Sequence, residues 1–373
     1  MVRRDASRAD STCAFKSQGW EEGKSIPSAA GSPTPSSPSS STTSVTSSSS
    51  SSSLSTLPVP ADSRDVQSTL EVQSLSPTPE YILKAAPYVD NFNWLMVFPM
   101  YALAPTLFLL QIYFNSWLSW GYMLALPFYG YARNIVCFGL MHRFFSHRAW
   151  QCSRPTTFVL GCLSTLIGNR GPLWWSSKHM RHHKYCENEG EYPHNDPHSH
   201  FRYGWWYGYI GWTMSPVEKH VDWDFVLPCF KTLEMALVET LTWICPIVET
   251  ALYWRYVGTH FALFHVYSST LWIFITLCIN SLTHYDGTPE PEMVNGRHKC
   301  KATNKPPLVM RYTLDLMGEM SHADHHSYPR KALRPSYVGF DVMYWTFIRP
   351  LEALGVFWDV KIGGGMKAVE LTH

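Results

Sequence analysis

Trp94 to Phe114, "WLMVFPMYALAPTLFLLQIYF", is an apolar run without a charge, about as long as the ~20 helical residues that cross ~30 Å of hydrocarbon. The pattern predicts a membrane span over 94–114. A second is expected over 117–141, interrupted by Arg133 and separated from the first by the short Asn115-Ser116 turn, so the two read as a hairpin. Phe261 to Leu282, "FALFHVYSSTLWIFITLCINSL", is a further uncharged run. The stretch before it is weaker, because Glu234, Glu239 and Glu249 are costly in lipid unless they lie at helix ends or face other helices. A third span is placed over 237–256 and a fourth over 261–282.

Upstream of the first span, Ser28 to Ser55 runs "SAAGSPTPSSPSSSTTSVTSSSSSSSLS", too poor in apolar surface to offset the entropy of ordering. Residues 1–80 therefore read as a disordered tail and 81–373 as one membrane domain. The chain does not open on an apolar segment with a cleavage site, so no secretory leader is expected. Arg3, Arg4 and Arg8 among serines faintly suggest an organellar transit peptide, against which stand Asp5, Asp10, Glu21 and Glu22.

Charge sorts the polar stretches. Arg143, Arg148, Arg154, Arg170, Lys178, Arg181, Lys184, Arg297, Lys299, Lys301, Lys305 and Arg311 all fall in 142–231 or 284–373, whereas the turns on the other side are short and nearly neutral. By the positive-inside tendency the larger pieces are cytosolic. The expected fold is an all-α integral membrane protein, four transmembrane helices carrying a cytosolic helical cap. A net charge of +1 argues against nucleic-acid binding. The nine cysteines form no CxxC pair, so neither a disulfide framework nor a cysteine zinc site is expected.

The candidate chemistry lies in the histidines. In "KHMRHHKYCENEGEYPHNDPHSH", His179, His182 and His183 occupy i, i+3 and i+4, which project from one helical face. "GEMSHADHHSYP" repeats the spacing at His322, His325 and His326, "HRFFSH" puts His142 and His147 at the end of the second span, and "NSLTH" puts Asn280 and His284 where the fourth ends. His142 and His147 are out of phase on a regular helix, where five residues turn by about 140°. The helix must fray or bend near 144–146, or the rings must grip from different heights. Nine imidazoles on one side of the membrane exceed what one ion takes at about four to six ligands, so two metals are expected. Imidazole suits iron, zinc, copper and nickel. The HExxH of metalloproteases is missing.

From Trp94 to Lys361 the chain resembles the membrane fatty acyl desaturases, a family that includes the acyl-CoA desaturases. "HRFFSH", "HMRHHKY", "NSLTH" and "GEMSHADHH" match its boxes in order, and "DPHSHFRYGWWYGYIGW" resembles the segment after the second. The resemblance implies a centre of two iron ions. One would be held by His142, His147, His179, His183 and His326, and the other by His182, His284, His322 and His325, with Asn280 acting through a water. It further implies that an acyl chain, O2 and two electrons give a cis double bond, commonly at the ninth carbon, and water. The substrate would be an acyl-CoA or an acyl-lipid in membrane lipid. Animal members place Arg-Asp where this chain has Ser177-Lys178, a wording closer to bacterial, plant and algal members, so no coenzyme A contact is carried over there.

No "HPGG" haem motif or GxGxxG fingerprint occurs, so electrons must come from a separate donor, cytochrome b5 or, in a plastid, ferredoxin. The expected location is the endoplasmic reticulum with a cytosolic active site, a plastid membrane being the alternative. A rival enzyme is a membrane di-iron fatty acid or sterol hydroxylase. A histidine-rich metal transporter would instead put ligands at mid-span, where only His265 lies. Glu187, Glu319, Asp324 and Asp196 are candidates to orient ligand rings. His194, His198, His200, His220, His260, His265, His298 and His373 read as non-ligands. Trp205 and Trp206 read as interface anchors, while Trp174 and Trp175 suit either an anchor or an acyl tunnel.

Overall fold

The computed structural model describes residues 80–114, 119–186, 190–284 and, with short gaps, 300–362. The tail up to residue 79, the Asn115-Ser116 turn, Glu187, Arg297, His298, Lys299, Lys301, Arg311 and His373 lie outside the described residues. What is described is mostly helical: α1 (Glu80–Phe114), α2 (Trp120–Gly139), α3 (Arg154–Thr165), α4 (Pro172–Tyr185), α5 (Leu233–Thr240), α6 (Ile244–Tyr256), α7 (Thr259–Leu282) and the short α8 (His322–Ser327).

Among the described residues two stretches are long and apolar enough to cross a membrane, Tyr88–Gln111 of α1 and Thr259–Leu282, and the bent pair α5–α6 makes a third if it counts as one span. The stretch expected as one span over 237–256 is broken, its two helices meeting at 58°. α2 is a helix of 20 residues, yet it falls outside that set; Tyr122, Tyr129, Tyr131, Arg133 and Asn134 dilute its apolar character.

The acidic residues of α5 and α6 are accommodated by neighbouring side chains. Glu234 pairs with Arg154. Glu249 pairs with Arg133 of α2, whose guanidinium also donates to the Ser269 hydroxyl and, at 2.7 Å, to the Leu166 carbonyl. Glu239 is buried and accepts from the backbone N–H groups of Leu173 (2.8 Å) and Trp174 (3.2 Å). Those are orphan donors at the start of α4, so the carboxylate caps the helix that carries the HxxHH sequence and complements its dipole. Gly171 precedes that helix because a Cβ there would collide with the Glu239 carboxylate.

α2 and α7 pack closely through small residues. Ser268 donates to the Leu126 carbonyl at 2.8 Å, Trp272 Nε1 to the Pro127 carbonyl at 3.0 Å, and Asn134 Nδ2 to the Thr276 hydroxyl at 2.6 Å. A methyl on Gly130 would strike the Trp272 indole and the Ser268 hydroxyl. Gly130→Ala is therefore expected to lower stability by about 1–3 kcal/mol, the usual cost of overpacking. Thermal unfolding in detergent measures it.

α2 does not end as an α-helix. Residues Leu140–Ser146 continue it as a fully buried π-helical turn. Phe144 and Phe145 of this turn lie against Phe230, and Phe144 stacks on Trp150 with ring centroids 5.2 Å apart. Downstream, Gln151–Cys152 pairs antiparallel with Phe357–Trp358. Lys361 N–H donates to the Ala149 carbonyl and Ala332 N–H to the Lys361 carbonyl, tying the C-terminal segment beneath the π turn.

Candidate metal centre

The π turn places the first two histidines. A π-helix repeats i to i+5, so His142 and His147, out of phase on an α-helix, come together with ring centroids 5.3 Å apart. The expected bend is thus a winding change. α4 supplies His179, His182 and His183 from one face, α7 runs out at His284, and α8 supplies His322, His325 and His326.

The nine histidines gather into two groups. In the first, Nε2 of His142 lies 2.9 Å from that of His325, His147 is 2.9 Å from His179, and His183 is 3.0 Å from His179 and 2.9 Å from His325. Donor atoms of His142, His147, His179, His183 and His325 all lie within 4.8 Å of one another. In the second, Nε2 atoms of His284 and His322 are 3.0 Å apart, His322 and His326 3.2 Å, and His326 and His182 3.3 Å. The structure therefore exchanges two neighbours relative to the expected division: His325 joins the first group and His326 the second. Asn280 sits half-buried on the last turn of α7, one turn before His284.

Of the three described carboxylates expected to orient rings, two do so. Glu319 Oε2 lies 2.9 Å from His142 Nδ1, and Asp196 Oδ2 lies 3.0 Å from His182 Nδ1. With Nδ1 facing a carboxylate, the proton belongs there and Nε2 keeps its lone pair for a metal. Asp324 instead meets the side chain of Asn304 at 3.2 Å. Glu319 is itself held by Arg334 at 2.8 Å; although burial works against ionisation, the Arg334 and Arg143 charges and the hydrogen bond from His142 bring its carboxyl down to about 2.

Burial first, then mutual repulsion among neighbouring rings and nearby arginines, holds His147, His179, His183, His284, His322, His325 and His326 well below the usual imidazole range. Burial brings His142 down to about 4 despite Glu319. Neutral rings aiming lone pairs at shared points are the donor set a divalent metal needs. Glu319→Gln is expected to weaken metal retention about 10- to 100-fold, the usual consequence of losing an orienting carboxylate, as read by competition with a chelator.

Ser177 and Lys178 are fully buried. The Lys178 ammonium sits 2.9 Å from Asp222 and 3.0 Å from Glu218, and Arg181 shares both carboxylates. Neither position is open to the phosphates of coenzyme A. Trp174 and Trp175 are also buried: Trp174 stacks on Trp212 and donates Nε1 to the Glu218 carbonyl at 2.7 Å, and Trp175 stacks on His179 at 4.8 Å. Trp206 is 72% exposed, as an interface anchor would be.

Three residues near the second group were not legible as such. His198, expected to be a bystander, is buried with its ring centroid 4.2 Å from that of His182 and its Nδ1 3.7 Å from Asp196. Cys186 and Cys300, expected to be unpaired, form a disulfide beside it. The i+4 step from His182 to Cys186 was the available sequence signal; for Cys300 there was none.

Helices of membrane-spanning length together with two histidine groups able to hold metal define a membrane-type protein with a candidate metal centre. A sequence model for fatty acid desaturases matches residues 115–334, more than half of the chain, and the chain belongs to that family. It is 24% identical over 254 residues to a probable acyl-CoA desaturase of Schizosaccharomyces pombe, covering 64% of this chain and 48% of the relative. Stearoyl-CoA desaturase 5 of Bos taurus is 27% identical over 204 residues, with coverages of 50% and 56%. Human stearoyl-CoA desaturase is 27% identical over 269 residues, with coverages of 66% and 67%. The chain thus spans about half the length of the first two of these relatives.

Proposed function

We propose that this chain is an O2-dependent fatty acyl desaturase that places a cis double bond, at the ninth carbon, in a saturated acyl chain at a centre of two iron ions. The observation that carries the reading is the convergence of nine imidazoles, from four separated sequence motifs, on two adjacent points. Family membership supports it, as do relatives named for acyl-CoA and stearoyl-CoA desaturation and, in Caenorhabditis elegans, for Δ9 desaturation.

One ion would sit on His142, His147, His179, His183 and His325, and the other on His182, His284, His322 and His326, with Asn280 reaching it through a water. Iron, when bound, supplies the oxidising power that an unactivated C–H bond requires. The chain's own residues hold the rest in place. Glu319 and Asp196 fix two imidazole tautomers, Trp175 packs over His179, and the buried π turn closes the first group to water.

In this reading α1, α2, the α5–α6 pair and α7 make the four spans, and the polar segments form a cap on the cytosolic side of the endoplasmic reticulum, or the equivalent side of a plastid membrane. Electrons arrive from a separate cytochrome b5 or ferredoxin. The acyl chain arrives as a coenzyme A thioester or on a lipid. With Lys178 already neutralised by carboxylates, a coenzyme A carrier must be recognised elsewhere.

Expression in a desaturase-deficient yeast, followed by mass spectrometry of fatty acids, tests the proposal. The expected result is growth without added unsaturated fatty acid and a new double bond at the ninth carbon. Hydroxylated chains in its place identify the rival oxygen-inserting enzyme.

A further inference from the structure

Two cysteines stand among the histidines of the second group. Cys186 follows His182 by four residues where α4 ends, and Cys300 comes from the chain beyond α7; the two are joined across 114 residues, with Cα atoms 5.3 Å apart. Cys300 Sγ lies 3.6 Å from His284 Nδ1 and 3.7 Å from His326 Nε2. One donor atom from each of His182, Cys186, His284, Cys300 and His326 lies within 4.8 Å of all the others. The two sulfurs and three of the imidazoles thus form a cluster tight enough to surround one ion.

The two oxidation states of this pair are different ligands. A disulfide sulfur carries no charge, whereas a thiolate is a strong, soft donor. An all-imidazole set accepts several divalent metals, while two thiolates with two imidazoles make the S2N2 set that favours zinc in tetrahedral geometry. On the cytosolic side assigned above, disulfides are rare and those that form are usually transient or redox-sensing.

We propose that Cys186 and Cys300 are a redox-controlled part of the second metal site. As a disulfide the pair leaves the ligand set to the histidines; reduced, it adds two thiolates and redirects the site from iron to zinc. The inference rests on reading the second histidine group as a metal site.

The reductant is a dithiol. Its thiolate attacks one sulfur of the protein disulfide, the other leaves as a thiolate, and the second thiol of the reductant then displaces the first cysteine as its own S–S bond closes. Two electrons and two protons pass to the protein, giving two thiols. Zinc binding displaces the two protons into solvent.

The test uses the full chain in detergent, one sample as isolated and one reduced with dithiothreitol under argon. Each is freed of reagent and incubated with zinc. Metal per chain and zinc X-ray absorption are then measured. The expected result is a nitrogen and oxygen shell before reduction, and after it sulfur at about 2.3 Å, absent from a chain carrying Cys186→Ser and Cys300→Ser. The same reduced chain, offered equal iron(II) and zinc(II), is expected to take up zinc in place of iron where the oxidised chain does not.

Peptides containing Cys186 and Cys300 that run unlinked in a non-reduced digest overturn the proposal. So does zinc held in the same sulfur-free shell in both states, which leaves the metal site itself standing. Failure of either sample to retain any metal overturns the reading of the site, and the switch with it.

Discussion

His179→Ala is expected to abolish double-bond formation and to reduce bound iron, while the protein still inserts into the membrane. The His179 ring stands at the centre of the first group, with its Nε2 2.9 Å from that of His147, 3.0 Å from His183 and 3.4 Å from His325. Its removal leaves an incomplete donor set at a site where geometry has to be held to fractions of an ångström. Alanine favours helix, and α4 remains capped by Glu239, so the backbone has no reason to unwind. His260→Ala, at an exposed ring on α7, is the matched control and is expected to keep full activity. Metal analysis of membranes carrying each variant, alongside fatty acid profiles, separates lost ligation from lost expression. Unchanged unsaturation in His179→Ala tells against the proposed centre.

Asp222→Ala should produce the largest loss of stability, about 3–5 kcal/mol, the range seen when one member of a buried ion network is removed. Asp222 takes Lys178 at 2.9 Å and Arg181 at 2.6 Å on one oxygen and the Tyr192 hydroxyl at 2.8 Å on the other. Both cations are fully buried, and Glu218 alone would then face two positive charges. Denaturant unfolding of the purified protein in detergent measures the loss. Adding Lys178→Met removes the surplus charge and is expected to restore part of the stability. A double variant no better than Asp222→Ala shows that the network is not what fails.

The site was legible in the sequence where it follows helical spacing. The two HxxHH motifs project from one face of α4 and of α8, and periodicity alone reveals that. His325 and His326 are different: adjacent residues point about 100° apart, and which one faces which group depends on the rotation of α8, fixed by distant contacts such as Asn304 accepting from the N–H groups of Ala323 and Asp324. Hydropathy found the α1 and α7 spans because each is uniformly apolar. It missed the break between α5 and α6, since Leu241 to Trp243 carries no charge or proline to mark it. It did foresee that Glu239 and Glu249 need company, although not that one of them would cap the ligand-bearing helix. The Cys186–Cys300 bridge joins residues far apart in the chain, and no local pattern encodes such a pairing.

The π turn gives the first motif a grammar of its own. Deleting either Phe144 or Phe145 would keep every imidazole and most of the apolar character, yet shorten the repeat by one residue, to the i, i+4 spacing that converges on an ordinary α-helix and not on a π turn. Anyone transplanting this motif into a designed scaffold must therefore copy its winding along with its letters: four residues between the two rings are right only where the backbone hydrogen bonds skip one place further than usual.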